Sequence, residues 1–156
     1  MRYNRLLIAL ALLVITPCAA WAAGPRATCR ALGSRDTLRP IPPALLGAAV
    51  RAFGLQHMPP DQVLRSTVWR CRSGVVLMCN YGANLPCGRA DTSRVLPPQG
   101  TAWCQQKPQA DFIPAYITGH DSIWRWRCDG GVPAAEGPPA RVDARGFLVR
   151  YWKQLQ

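Results

Sequence analysis

The chain has 156 residues, with 19 basic and eight acidic side chains and a formal net charge of +11. This length suits one domain with a real hydrophobic core and leaves little room for a second one. The positive charge favours anionic partners, although arginine-rich, lysine-poor coding in a GC-rich genome would give the same composition.

The N-terminus has the pattern of a cleavable signal peptide. Arg2 and Arg5 precede an unbroken apolar run from Leu6 to Ile15, and a stretch of small residues ends at Ala22. A positive region, a short apolar region and an A-x-A site are typical of signal peptides. We therefore expect cleavage after Ala22, with residues 1–22 removed.

An exported and released protein is the expected product. The apolar run is about half the length of a spanning helix, which argues against an uncleaved anchor. The residues before Cys18 lack the small side chains of a lipoprotein site, and no transmembrane segment would remain after cleavage. Removal of Arg2 and Arg5 would leave 17 basic and eight acidic residues, a net charge of +9. We expect a periplasmic or secreted location.

The cysteines predict a disulfide framework. An even number of cysteines in an exported domain is typical of disulfide bonding. The six that would remain are Cys29, Cys71, Cys79, Cys87, Cys104 and Cys128. Six cysteines allow 15 pairings, and their spacing does not select one. Zinc is the alternative, but there is no C-x-x-C pair and only His57 and His120 could assist, so we expect neither a metal nor a cofactor.

The first half of the chain predicts one helix and one hairpin. Residues 23–43 are rich in Arg and Pro and are predicted to be irregular, ahead of one domain at 44–156. Apolar residues recur at helical spacing from Pro43 until Gly54. Two strand candidates, Leu64 to Cys71 and Val75 to Cys79, flank a turn and predict a hairpin.

The second half predicts further short elements. They are a helix within Pro98 to Lys107, strands at Phe112 to Thr118 and Ser122 to Cys128, a flexible loop at Pro133 to Pro139, and a hairpin from Arg141 to Trp152. Together the elements predict an α+β fold, in which one or two short helices pack on a small antiparallel sheet built from hairpins and stabilised by disulfides.

One motif occurs twice. Trp69-Arg70-Cys71-x-x-Gly74-Val75 returns as Trp126-Arg127-Cys128-x-x-Gly131-Val132. Alternate residues of a strand share a face, so Trp and Cys should face the core together and the arginine should lie on the opposite face. The repeat predicts two similar hairpins.

These motifs carry a resemblance. With the string from Gly82 to Cys87, the segment Ala110 to Ala115 and the segment Val142 to Phe147, the chain resembles a group of small uncharacterised secreted bacterial proteins. The resemblance implies a bacterial envelope protein and no activity. The aromatic-x-Cys-x-x-Gly hairpin is also similar, more distantly, to periplasmic inhibitors of c-type lysozyme. The positive charge departs from that family, since lysozymes are themselves basic.

No catalytic motif is evident. His120, Asp121 and Ser122 are of the catalytic types, but neighbouring residues on an extended chain point to alternate faces and do not form a triad. Asp91 and Asp111 are predicted to cap turns. A hydrolase that uses Asp91, Asp111 or His120 is the third-ranked function.

Aromatic and basic residues interleave in two segments, 124–127 and 150–153. Such interleaving suits anionic glycans, lipid headgroups or single-stranded nucleic acid, although a half-buried strand gives the same pattern. The candidate ligand-binding residues are Arg70, Arg125, Arg127, Arg150, Trp124 and Trp152. The expected function is a non-enzymatic envelope module for an anionic polymer or lipid headgroups, and the alternative is a module that binds or inhibits a protein partner.

Overall fold

The computed structural model describes residues 24–82 and 86–156, so the predicted signal peptide lies outside the described residues. The α-helices are Pro25–Leu32 (α1), Leu46–Phe53 (α2), Pro60–Ser66 (α3), Pro98–Gln106 (α4) and Ala115–Thr118 (α5). The strands are Arg35–Pro40 (β1), Thr67–Arg72 (β2), Val75–Asn80 (β3), Arg125–Asp129 (β4), Val132–Glu136 (β5) and Lys153–Gln154 (β6). Short 3-10 helices span Pro43–Leu45 and Val149–Tyr151. The predicted α+β class is confirmed, with more helices than the one or two expected.

Two antiparallel sheets organise the chain. The larger has the order β1-β2-β3-β6, and the smaller is the β4–β5 hairpin. Trp69 lies opposite Met78 in the first hairpin, and Trp126 lies opposite Ala135 in the second. Both hairpins that the repeated Trp-Arg-Cys motif predicts are therefore present. The first begins at Thr67 rather than at Leu64, because α3 continues to Ser66.

The larger sheet is covered on both faces. One face packs Trp69, Cys71, Val76 and Met78 against the helical layer of α2 and α3. The opposite face carries Leu77 and Cys79, which pack against Phe147 and Trp152 of the C-terminal segment. Burial on both faces explains why β3 is almost continuously apolar rather than alternating.

A third core lies under the second hairpin. It joins Cys104 of α4, Ile113, Trp126 and Cys128, with Leu96 and Trp103 packed against it. This cluster fixes β4 against the segment that carries α5.

Three disulfides link the cysteines in sequence order. They are Cys29–Cys71, Cys79–Cys87 and Cys104–Cys128. The first ties α1 to β2, and the third ties α4 to β4, so each repeated Trp-Arg-Cys strand is bonded to its own helix. The predicted disulfide framework is confirmed and is consistent with a secreted protein.

The N-terminal segment predicted to be irregular, 23–43, is largely regular over its described residues, 24–43. Helix α1 begins at Pro25, where the missing N–H costs nothing, and Cys29 bonds it to the sheet. β1 then pairs with β2, with Arg39 opposite Trp69. The tertiary pairing and the disulfide stabilise a segment whose composition alone predicts a loop.

Two later predictions were also wrong. The strand predicted at Phe112 to Thr118 is replaced by α5, because Pro114 lacks an N–H for a ladder and sits at the N-cap of a helix. The loop predicted at Pro133 to Pro139 contains β5, in which Pro133 lies opposite Cys128. Proline is tolerated there because β5 is an edge strand.

The hairpin predicted from Arg141 to Trp152 is partly present. Its turn forms as expected, with the Gly146 N–H donating to the Asp143 carbonyl (2.9 Å). The two predicted strands are reduced to one isolated β-bridge, between Val142 and Leu148, because the chain enters a 3-10 helix at Val149. Within residues 24–82 and 86–156, no helix has the length and apolar character of a membrane span.

Candidate functional site

A cleft of about 640 Å³ opens beside the second hairpin. Three pieces of chain form it: the segment through α5, the start of β4 and the 3-10 helix near the C-terminus. Its lining residues are Phe112, Ile113, Ala115, Tyr116, Thr118, Gly119, His120, Ser122, Trp124, Arg125, Trp126, Arg150 and Tyr151. Four of these residues, Trp124, Arg125, Arg150 and His120, are candidates from the sequence.

Backbone pairing positions the wall that carries α5. The Ile113 N–H donates to the Trp126 carbonyl (2.7 Å), and the Cys128 N–H donates to the Ala110 carbonyl (2.8 Å). These bonds attach residues 110–113 to the outer edge of β4. Gly119 ends α5 with φ of 90°, and a Cβ there would lie 2.8 Å from Oδ1 of Asp121. Glycine is therefore required where the chain turns from α5 towards β4.

Aromatic rings form much of the lining. Phe112 exposes 64% of its surface and Tyr116 exposes 70%, although both are large apolar side chains. Tyr116 meets Trp103 edge to face, with ring centroids 6.2 Å apart and planes at 85°. An exposed ring in such a contact has a preferred orientation, which sets how its face is presented to the cleft.

Two guanidinium groups supply the charge. The Arg125 side chain is 78% exposed and lies 3.5 Å from the Glu136 carboxylate, a surface pair of small energetic weight. Arg150 lies over the ring of Tyr151, 4.7 Å from its centroid. Within the described chain, Arg150 has no carboxylate at salt-bridge distance, and no Asp or Glu lines the cleft. The cleft is therefore cationic and aromatic.

Among the hydrolase candidates, Asp91 is bonded through its backbone to Asp121 and Ile123, next to His120. Ser122 is buried, and its Oγ accepts a hydrogen bond from Nε1 of Trp126 (3.1 Å). Oδ1 of Asp91 accepts from the Ser93 N–H (2.8 Å), which is the turn-capping role predicted from the sequence. His120 lines the cleft, but Asp91 and Asp111 do not. Ser122, a possible nucleophile in the cleft lining, is therefore already hydrogen-bonded. No pair of carboxylates lines the cleft within the described chain.

Arg70 is not a surface residue, which corrects its place among the ligand-binding candidates. It is 1% exposed and forms an ion pair with Asp143. Its guanidinium lies 4.0 Å from the ring centroid of Phe147 and 4.4 Å from that of Trp152. Strand alternation does place Arg70 opposite the Trp69 face, but the C-terminal segment covers that side.

Trp152 also differs from its predicted role. Trp152 is buried in the core beside Phe147, with ring centroids 5.5 Å apart, and is not available to a surface ligand. Arg127 pairs with Asp129 at 3.2 Å and does not line the cleft. Of the four candidate arginines, the structure brings together only Arg125 and Arg150.

Ion pairs with arginines lower the pKa of carboxylates away from the cleft, among them Asp143 and Asp36. Burial acts to raise the pKa of Asp143, but hydrogen bonds from Arg70 and from the N–H groups of Phe147 and Arg145 outweigh it and leave the pKa lowered. Hydrogen bonding to Arg145 likewise lowers the pKa of Asp36. Both carboxylates hold surface or buried arginines in place and have no part in the cleft.

Sequence reasoning missed Phe112 and Tyr116, and it included Tyr151 in an interleaved segment without making it a candidate. The first two were assigned to a strand, in which they would share one face and could both be buried. Pro114 is the feature that could have revealed them, since proline commonly begins a helix and here separates the two aromatic residues. Tyr151 adjoins Arg150 in the sequence, but only the 3-10 helix turns both towards the cleft.

Within residues 24–82 and 86–156, no group of three or more His, Cys, Asp or Glu side chains is placed to hold a metal ion. The cysteines are all in disulfides in that part of the chain. Comparison with known proteins gives no family: no family model, no curated protein and no solved structure matches the chain.

Proposed function

We propose that this protein is an exported, non-enzymatic binding module that takes an anionic ligand into the cleft. The observation that carries the proposal is the pairing of Arg125 and Arg150 in a cavity of about 640 Å³ that no carboxylate of the described chain lines. Concave sites of this size, with aromatic walls and a few convergent polar groups, are typical of ligand sites.

The charge of the whole chain supports the same function. The net charge of +9 that remains after removal of residues 1–22 raises the local concentration of anions and speeds their encounter with the surface. Arginine suits this role because its planar guanidinium can bind a carboxylate, sulfate or phosphate through two parallel hydrogen bonds.

The first experiment is a titration of the purified, disulfide-bonded protein with heparin, lipopolysaccharide and single-stranded DNA over a series of salt concentrations. We expect at least one of them to bind, with affinity that falls steeply as salt increases. Absence of binding at low salt would overturn the proposal.

A charge-matched pair of variants locates the site. Arg125→Gln/Arg150→Gln removes two charges from the cleft. Arg30→Gln/Arg51→Gln removes two exposed charges from α1 and α2. Its net charge is therefore the same as that of the cleft variant. We expect the cleft variant to lose affinity about tenfold or more, and the control variant to lose much less. Equal losses would mean that net charge alone attracts the ligand.

A protein-binding or inhibitor module is the second candidate function. It is favoured by the exposure of Phe112 and Tyr116, since exposed aromatic residues around a concavity resemble the anchors of protein interfaces. The affinity of a shape-matched interface should depend only weakly on salt. Salt-dependent titrations against protein partners from the periplasm or the extracellular space therefore separate the two functions.

A further inference from the structure

We infer that the anionic ligand of the cleft is an acidic glycan, an inference that rests on the binding function proposed above. The structure combines two features that a sugar acid needs at one place. Fixed aromatic faces can pack against the apolar C–H face of a sugar ring, and nearby guanidinium groups can bind its carboxylate or sulfate.

Tyr116 provides the first feature. It is highly exposed, yet its edge-to-face contact with Trp103 orients the ring. Trp103 is itself covered by Lys107, whose Nζ lies 4.4 Å from the ring centroid. Tyr116 is thus an exposed ring at the cleft with one packed aromatic partner, and that contact lowers the entropic cost of ordering the ring for stacking.

Arg125 and Arg150 provide the second feature. They line the same cavity as Tyr116, and Arg150 has no carboxylate at salt-bridge distance among the described residues. Half-buried His120 adds a side chain that can form hydrogen bonds in the same wall. A neutral sugar would leave the two cations unused, and a simple anion would leave the rings unused.

The shape of the site argues against the other two polyanions. A single-stranded nucleic acid is bound along a basic groove of about 4–16 nucleotides, whereas here the two cations share one cleft of about 640 Å³. A membrane surface is bound by an amphipathic helix with a broad apolar face, whereas α5, the helix at the cleft, has four residues. A short acidic oligosaccharide fits the concavity.

The test compares five probes at one low salt concentration. They are a heparin-derived tetrasaccharide, neutral chitotetraose, a polyphosphate of matched charge, a six-residue oligothymidylate, and vesicles of phosphatidylcholine with phosphatidylglycerol. Tyr116→Ala is compared with Tyr81→Ala, which removes an exposed tyrosine that does not line the cleft. We expect the tetrasaccharide to bind about tenfold more tightly than polyphosphate. Tyr116→Ala should weaken it about fivefold, and Tyr81→Ala should leave it unchanged.

Each other outcome has a definite meaning. If polyphosphate binds as tightly as the tetrasaccharide and Tyr116→Ala changes neither, the anion-binding function stands and the glycan inference is overturned. Tighter binding of the oligothymidylate or of the vesicles would also overturn it, in favour of nucleic acid or membrane. If no anionic probe binds the wild-type protein, the proposed function itself fails.

Discussion

Arg70 is the largest of the fully buried side chains, and its guanidinium group contacts one carboxylate and two aromatic rings. Asp143 pairs with it, and the rings of Phe147 and Trp152 lie against the guanidinium. Its Nε and Nη1 atoms have no hydrogen-bond partner in the described chain, so the aromatic faces replace the acceptors that water would offer. The Asp143 carboxylate therefore carries most of the compensation for the buried charge.

Removal of that carboxylate should be costly. We expect Asp143→Ala to lower the free energy of unfolding by about 3–5 kcal/mol, because it leaves a buried and unpaired cation. Urea unfolding measures the change. Asp61→Ala is the control, since Asp61 pairs with Arg65 on an exposed helix face and its loss should matter far less. Similar losses from the two variants would contradict this account of Arg70.

The same pair predicts a pH dependence. The pKa of Asp143 is lower in the folded protein than in the unfolded chain. Its contribution to stability is therefore complete above the unfolded pKa, about 3.9, and is lost as the pH falls through the folded pKa. In urea unfolding from pH 6 to pH 2, the stability gap between wild type and Asp143→Asn should narrow as the pH falls. A gap that stays constant would show that ionisation of Asp143 does not stabilise the fold.

Arg70 and Arg127 show what the sequence could predict of single residues. Both occupy the middle of the repeated Trp-Arg-Cys motif, and alternation correctly separates each from the buried Trp and Cys faces. Whether that opposite face meets water depends on a contact 73 residues away, between Arg70 and Asp143. Local pattern does not encode such a contact, so identical motifs lead to one buried and one partly exposed arginine.

At the scale of elements, the chain uses one unit twice, a helix joined by a disulfide to the first strand of a hairpin. The loops closed by the disulfides differ in length: Cys29 and Cys71 are separated by 42 residues and Cys79 and Cys87 by 8. Longer loops lose more entropy from the unfolded chain when they are closed. The disulfides should therefore differ in their weight for stability.

Paired alanine variants measure that difference. Loss of the Cys29–Cys71 disulfide should lower the unfolding free energy by about 4 kcal/mol, and loss of Cys79–Cys87 by about 2.5 kcal/mol. Urea unfolding of the two double variants, with the other disulfides intact, tests the order. The reverse order would mean that the short loop stabilises the native state by more than chain entropy.

The β4–β5 pairing places Glu136 opposite Arg125 at the edge of the cleft. Glu136→Gln should raise the affinity for an anionic ligand about twofold, because it ends a weak exposed ion pair and removes a repelling charge. Salt-dependent titration with heparin measures the change. Asp129→Asn is a matched control, since Asp129 pairs with Arg127 outside the cleft. Unchanged or lower affinity in Glu136→Gln would contradict the expected competition between Glu136 and the ligand for Arg125.

Elements with strong local patterns were predicted well. The helix that ends at Gly54 and the hairpin around Gly74 follow from apolar periodicity and turn chemistry, and glycine adopts a positive φ at both positions. α1 and β1 were not predicted, because a disulfide and pairing to β2 stabilise an Arg- and Pro-rich segment. α5 was hidden by its four-residue length and by the apolar residues around Pro114.

For the whole molecule, the distribution of ion pairs determines which regions of the surface carry arginines without an acidic partner. Five of the eight acidic residues form ion pairs with arginines: Asp36, Asp61, Asp129, Glu136 and Asp143. The sequence could predict the excess of basic residues but not its placement, since the pairs join residues as far apart as Asp36 and Arg145. Only the folded chain brings Arg125 and Arg150 to one aromatic cleft.

The most direct test of the central claim is to locate a bound anion by NMR. The indole N–H signals of Trp124, in the cleft, and of Trp69, in the helical core, report on separate regions. On titration of labelled protein with a heparin-derived tetrasaccharide, we expect the Trp124 signal and the backbone signals of residues 112–120 and 150–151 to shift, while Trp69 stays in place. Saturable shifts elsewhere, with the cleft signals unmoved, would contradict the account.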